Sequence, residues 1–269
     1  MGYSKMLRKL FSGISLCVED LLLLESFQVN YLPERVPQKE FAAIIRNYPF
    51  IKNYLILRDP SIQYFIHSIL DANEEVKDEN LINEYCEELL WEIADLIVYN
   101  KIPEIYDKKT KFNWNIDEII AKESLEGKIV ADVGAGSGRL AFLLAKYATT
   151  VYAIEPISSF RTFIKQKAVK ENFRNVYALD GFLDSIPFPS NSFDILFTSN
   201  AIGWNITKEL QEIERVVKPD GQAIHIMRVN KNGIENLVHE KLISNKWNYA
   251  FSTIQHENEL KLKYIKTIK

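Results

Sequence analysis

A chain of 269 residues has room for one large or two modest domains and, with 47% hydrophobic residues, for a sizeable core. Its 33 basic and 36 acidic side chains leave a net charge of −3, so no global field draws it to nucleic acid or an anionic membrane, and a large RNA or DNA substrate is disfavoured. Leu21–Leu24 is far too short to span a bilayer, and the sequence opens without a secretory h-region; Cys17 and Cys86 are therefore expected as reduced, core-packed thiols of a cytoplasmic protein. His67, His225, His239 and His256 share no i, i+4 pairing and have no cysteine at zinc spacing, so no metal is expected.

Residues 1–112 read as a helical N-terminal domain. Basic Lys5, Arg8 and Lys9 lie beside Met6, Leu7, Leu10, Phe11 and Ile14; this stretch is read as a helix docked on its own core, with a membrane-surface helix as the other reading. Phe41, Ile44, Ile45 and Tyr48 repeat at helical spacing after Pro33 and Pro37. Asp59-Pro60 predicts an N-cap followed by proline at the first helical position, with Ile62, Phe65, Ile66 and Ile69 on one face. After an acidic link from Asp71 to Asn80, the period carried by Ile82, Tyr85, Cys86, Leu89, Ile93, Leu96 and Ile97 predicts one long helix. Glu84, Glu87 and Glu88 are read as its solvated face. From about 101 to 115, aromatics mix with lysines around Tyr106, which suggests a linker.

The character then changes to alternating strands and helices, the pattern of a parallel sheet covered on both faces. The short helix Asp117–Ser124 leads into an apolar strand, Ile129–Val133, which ends in Gly134, Gly136 and Gly138 and passes into a helix with Leu140, Leu143, Leu144 and Tyr147 on one stripe. Glycines there permit positive φ and close approach of a ligand to backbone, while the new helix offers unpaired N–H groups. A dinucleotide fingerprint needs glycine where Arg139 stands, and no Gly-Lys-Ser/Thr follows, so both common phosphate loops are disfavoured. Asp132 in the turn would repel a phosphate and attract an ammonium group; the expected ligand is zwitterionic, its carboxylate near backbone N–H groups or a cation.

This stretch resembles the first motif of the class I S-adenosylmethionine-dependent methyltransferases, an acidic residue before Gly-x-Gly-x-Gly. The later blocks strengthen the likeness to the type 11 methyltransferase group: Pro187-Phe188-Pro189, then Phe193-Asp194 before a fourth strand, then Arg215-Val216-Val217-Lys218-Pro219-Asp220-Gly221, with Asp220 where glycine is common. The resemblance covers roughly residues 113–230. It implies a Rossmann-like α/β fold with a doubly wound, mostly parallel seven-stranded sheet over 113–269, preceded by the smaller all-α domain. The cofactor implied is S-adenosyl-L-methionine, with S-adenosyl-L-homocysteine as product.

Residue by residue, Gly134, Ala135, Gly136 and Gly138 form the cofactor turn. Glu155 ends the second strand 23 residues after Asp132, where a carboxylate accepts from two ribose hydroxyls, with Pro156 beside it. Asp180 matches the acceptor of the adenine amino group, followed by Gly181 and Phe182, which close over the ring. Asn200 and Ala201 follow the fourth strand, where family members meet the methyl group and the acceptor. Trp204 is read as substrate wall or as domain-interface packing. Tyr106 resembles a tyrosine that reaches over the bound cofactor and acceptor; an ordinary linker aromatic is its other reading. The stretch is not Asn-Pro-Pro-Tyr and the α/β half has no cysteine, which argues against adenine N6 and cytosine C5 methylation. His225 reads as a buried mid-strand histidine, and no general base is assigned.

The function expected is methyl transfer to a small-molecule acceptor, with the N-terminal helices as lid and acceptor-selecting element. A protein or RNA methyltransferase and a non-catalytic S-adenosylmethionine or S-adenosylhomocysteine sensor are the alternatives. A nicotinamide or nucleotide-sugar oxidoreductase stands behind both because of Arg139. The tail is expected to form a helix around Glu235–Asn245 and a closing pair of strands, the last alternating Leu260, Leu262 and Tyr264 with lysines.

Overall fold

The computed structural model describes residues 3–109, 114–229, 237–256 and 259–269. The chain divides into two compact units, Met1–Lys111 and Phe112–Lys269.

The first unit is all helix among the described residues. Phe41, Ile44 and Ile45 on Gln38–Asn47, Ile51 and Leu55 on Pro49–Arg58, and Ile66 and Ile69 on Gln63–Ala72 meet Leu89, Leu90, Leu96 and Ile97 in one core. Each such side chain contributes about 1.5–3 kcal/mol on leaving water. The cap forms as the sequence predicts, Asp59 accepting from Ser61 N–H at 3.0 Å. The opening helix, Tyr3–Leu10, seats Leu7 against Ala94 and Val98, and Phe11 just beyond its end joins them.

Three expectations for this unit are corrected. The long helix is two, Glu79–Glu92 and Ala94–Lys101, broken at Ile93 where the backbone leaves the helical region (φ −114°, ψ 20°). The break turns Leu96 and Ile97 into the main core while Ala94 and Val98 meet the opening helix. Cys17 is exposed rather than core, and only Cys86 is half-buried. The supposed linker contains the helix Pro103–Lys109, which carries Tyr106; the linker's 110–113 portion lies outside the described residues. Glu87 lies on the solvated face, where it pairs with Arg8 at 2.5 Å.

The second unit is built on seven strands: β1 Ile129–Val133, β2 Thr150–Ile154, β3 Val176–Leu179, β4 Phe193–Ser199, β5 Val217–Arg228, β6 Ala250–His256 and β7 Glu259–Thr267. Their order is β3-β2-β1-β4-β5-β7-β6, with β1 to β5 parallel and β7 antiparallel to both its neighbours. Two-residue alternation divides the sheet between two cores. Val130, Ala153, Phe197 and Ile224 face Leu140, Ala141, Leu144 and Ile164; Ala131, Val133, Leu196 and Ala223 face Leu210, Ile213 and Val216.

The order reverses between β1 and β4, and in such open sheets a ligand usually lies beyond the carboxyl ends of the strands at that point. The first α/β helix is shorter than its stripe predicts, Arg139–Leu144, leaving Tyr147 beyond it and partly exposed. The expected helix before β1 is two single turns, Ile116–Ile119 and Lys122–Leu125. In the tail, the helix described is Leu237–Ile243, and the part of the expected helix before Leu237 lies outside the described residues. No helix among the described residues is long and apolar enough to cross a membrane.

Two motif residues reveal their structural work here. The Asp194 carboxylate accepts from Ile129 N–H at 2.7 Å and pairs with Lys218 at 2.9 Å. Burial opposes its charge, but these partners more than offset that and hold it below the usual carboxylate range. Asp220 adopts φ 64°, the left-handed conformation that aspartate tolerates better than most residues, which explains how it stands where glycine is common.

Candidate cofactor site at the carboxyl edge of the sheet

Asp132, Glu155 and Asp180 come from the ends of three adjacent parallel strands, β1, β2 and β3. Asp132 is not in the turn, as the sequence suggested, but inside β1, paired in register with Ala153 and Phe197. Strand parity sends its side chain under the helix Arg139–Leu144, where it is 1% exposed and neither carboxylate oxygen has a hydrogen-bond partner. Burial pushes its acid up to about 7; the nearby Ala141 amide pulls down without completing a bond, and the Glu155 charge adds to the rise.

Four amides of the turn after β1 bond within the protein. Gly134 and Ala135 N–H donate to Ile154 O at 2.8 and 3.2 Å, Gly136 N–H to Glu155 Oε2 at 2.7 Å, and Gly138 N–H to Ala135 O at 2.9 Å. These four amides thus already have partners within the protein. The glycines are required for shape: Gly134, Gly136 and Gly138 have φ of 71°, 54° and 79°. A Cβ on Gly134 would lie 2.3 Å from Ala201 Cβ, so the loop after β4 rests directly on the turn.

Glu155 is 5% exposed, with Oε2 accepting from Gly136 and Oε1 from Ile157 N–H at 3.0 Å. Each oxygen retains a second lone pair for a hydroxyl donor. Burial, only partly opposed by these two amides, raises its acid to about 7. Asp180, by contrast, has a side chain 71% exposed. Gly181 is fixed by crowding, since a Cβ there would meet Pro187 Cδ at 2.6 Å and Ile154 Cγ2 at 2.9 Å. Phe182 follows, partly exposed, in an isolated bridge with Ser185. Pro156 contributes its carbonyl to Arg161 at 2.6 Å.

Beyond β4, Asn200 takes φ 56° and is tied to β5, its N–H donating to Ile226 O and its Oδ1 accepting from Arg228 N–H. Ala201 covers Gly134, and Trp204 is 71% exposed. Tyr106 belongs to the helical unit, edge-on to Tyr99 with ring centroids 4.8 Å apart. His225 is fully buried, its Nδ1 2.9 Å from Thr198 Oγ1, and desolvation lowers it to about 3, so this imidazole is too weakly basic to activate a nucleophile.

Sequence reasoning missed the residues that hold these loops. Glu209, 2% exposed on the helix Ile206–Val216, accepts from the N–H groups of Gly203, Trp204 and Asn205 at 2.7, 2.9 and 2.9 Å. An acid in a first helical turn after an irregular loop was the available signal. Arg215 binds the carbonyls of Ile186 and Phe188 at 2.9 and 2.7 Å and pairs with Glu212, which itself caps Ile186 N–H; the Pro-Phe-Pro segment is held by this ion pair. Glu209→Ala strands three loop amides, each costing about 1–3 kcal/mol if left unsatisfied, partly relieved by water. Thermal unfolding followed by circular dichroism should show a midpoint roughly 5–10 °C lower, with Glu209→Gln intermediate.

Residues 131–225 match the model of a methyltransferase domain, type 11. The uncharacterized methyltransferase YcgJ of Bacillus subtilis (strain 168) is 30% identical over 97 residues, 35% of this chain and 38% of that protein. Its uncharacterized methyltransferase YodH is 29% identical over 137 residues, 48% and 54% of the two chains. The chain thus spans about half, or less, of the length of these curated relatives. A crystal structure of a SAM-dependent methyltransferase from Aquifex aeolicus aligns with a TM-score of 0.45 at 21% identity, covering 62% of this chain and 91% of that one.

Proposed function

We propose that this chain, whose α/β unit belongs to the class I S-adenosylmethionine-dependent methyltransferases, moves a methyl group from S-adenosyl-L-methionine to a small-molecule acceptor by in-line displacement. The observation that carries the reading is the set of three acids at the carboxyl edge of the sheet, Asp132 buried in β1 and Glu155 and Asp180 just past β2 and β3, beside a glycine turn with four of its amides engaged within the protein. Such a set suits hydroxyls, an adenine amino group and an ammonium, and it repels phosphate.

The residues fit the cofactor. Asp132, buried and unpartnered, would satisfy its charge beside the ammonium of the amino-acid moiety. Glu155 would use its remaining lone pairs for the ribose hydroxyls, and exposed Asp180 would accept from the adenine amino group, with Pro156, Gly181 and Phe182 along the same edge. The bound sulfonium supplies an activated methyl group and a neutral thioether leaving group. The protein's own task is to hold an acceptor atom collinear with that methyl and to keep water out. Asn200 and Ala201, locked to β5 and to the turn, form the wall nearest this position, and Trp204 adds an apolar surface for the acceptor. The helical unit has its own core and lies outside the matched residues, and we assign acceptor selection, with Tyr106 as its contribution, to that unit.

Calorimetric titration with S-adenosylmethionine and S-adenosylhomocysteine tests the donor site. Micromolar binding of both is expected, and absence of binding to the intact protein would sink the reading. Methyl transfer across a panel of small amines, thiols, phenols and carboxylic acids, run beside bulk protein and RNA, then tests the acceptor class; incorporation confined to a macromolecule would overturn the small-molecule proposal.

A further inference from the structure

From the first turn of the helix Ser158–Lys170, Arg161 sends one guanidinium nitrogen, Nη1, to three acceptors: Glu155 O at 2.8 Å, Pro156 O at 2.6 Å and Asp180 Oδ1 at 3.0 Å. Its side chain is 18% exposed, whereas that of Asp180 is 71% exposed. A surface carboxylate ordinarily samples several rotamers, and a pair with an equally mobile cation contributes little. Here the cation is anchored first, by two backbone carbonyls at the end of β2, and the carboxylate at the end of β3 is drawn to a fixed point. One arm therefore ties together the two strand ends that bear Glu155 and Asp180. Its charge also opposes the effect of the Asp180 carboxylate on Glu155 and so favours the ionised, hydrogen-bond-accepting form of Glu155.

We propose that Arg161 is the positioning residue for adenine recognition: it fixes the Asp180 carboxylate as an acceptor for the exocyclic amino group and so sets the preference for an adenine over a 6-oxopurine base. The inference rests on the donor-site reading above. Arg161 acts through Asp180, and removing either should therefore erase the same discrimination.

The test is calorimetric titration with S-adenosylhomocysteine and with S-inosylhomocysteine, which has a carbonyl in place of the amino group. The parent protein should prefer the adenine compound by roughly tenfold or more, the scale of one hydrogen bond to a charged group. Arg161→Ala and Asp180→Asn should each bring the ratio close to one, and the double variant should lose no more than the worse single variant, because both act on one contact. A merely structural arginine would weaken both ligands equally and leave the ratio unchanged, and that result overturns the proposal. If Arg161→Ala does not fold, Arg161→Lys carries the test: the lysine ammonium ends one bond short of the Nη1 position and lacks the planar fork, so it holds Asp180 less firmly and its ratio should fall between those of the parent and Asp180→Asn. A parental ratio in Arg161→Lys or in Asp180→Asn overturns the proposal equally. Failure of the parent to bind S-adenosylhomocysteine at all is a different result, and removes the donor-site reading itself.

Discussion

Asp132→Asn is expected to make the protein more stable at pH 8 and a poorer ligand for S-adenosylhomocysteine. The sign follows from linkage. An unfolded aspartate loses its proton near pH 4, whereas burial raises Asp132 to about 7. Between these values the folded state binds more protons than the unfolded chain, so stability falls as pH rises. Above about 7 the folded protein carries the full cost of an ionised, unpartnered carboxylate, roughly 4 kcal/mol for a shift of about three pH units. An asparagine amide removes the charge but leaves polar atoms without partners, so the net gain at pH 8 should be about 1–3 kcal/mol. Chemical denaturation at pH 5 and pH 8 measures it: the variant's advantage should appear at pH 8 and disappear at pH 5. The same variant should bind S-adenosylhomocysteine about 10- to 100-fold more weakly, because an amide cannot neutralise the ammonium. Undiminished binding would show that Asp132 shapes the strand without meeting the ligand.

Gly134→Val should abolish cofactor binding. Its backbone, at φ 71°, is unfavourable to a β-branched residue, and even the first carbon of the side chain would lie 2.3 Å from Ala201 Cβ. The left-handed conformation costs about 1–2 kcal/mol and forced repacking about 1–3 kcal/mol more, and the displaced loop is the proposed acceptor wall. Gly127→Ala separates the two effects. That glycine has φ 75°, but nothing lies within 4 Å of its Cβ position. It should cost only the backbone strain, about 1–2 kcal/mol, and bind S-adenosylhomocysteine like the parent. Titration of both variants decides the matter: equal losses would mean that the clash with Ala201 is irrelevant to the site.

What could be read from the sequence was local. The Asp59 cap, the strand that runs into Gly134-Ala135-Gly136-Ser137-Gly138, and the spacing to Glu155 all depend on residues a few positions apart or on one βαβ unit. Periodicity also identified the stripes of Phe41, Ile44 and Ile45 and of Leu262 and Tyr264, because burial on one face follows from the geometry of helix and strand. The division of the stripe at Ile93 was not legible, since a helix can end inside an unbroken apolar pattern when its two halves pack on different partners. Nor was the exposure of Cys17, which depends on what covers a residue rather than on its type.

The sequence by itself determined a strand–glycine turn–helix followed by alternating strands and helices, and placed Glu155 and Asp180 at the ends of the second and third strands and Asp132 beside the glycine turn. These are matters of backbone preference and two-residue or 3.6-residue spacing, which neighbouring residues dictate. Only the tertiary structure decided what each acid meets: Asp132 buried without a partner, Glu155 held by the amides of Gly136 and Ile157, Asp180 held by Arg161, and Glu209 gathering the loop that carries Trp204. Most of those partners are backbone N–H groups, which every residue but proline carries alike. Their meeting is set by which segments the fold brings together.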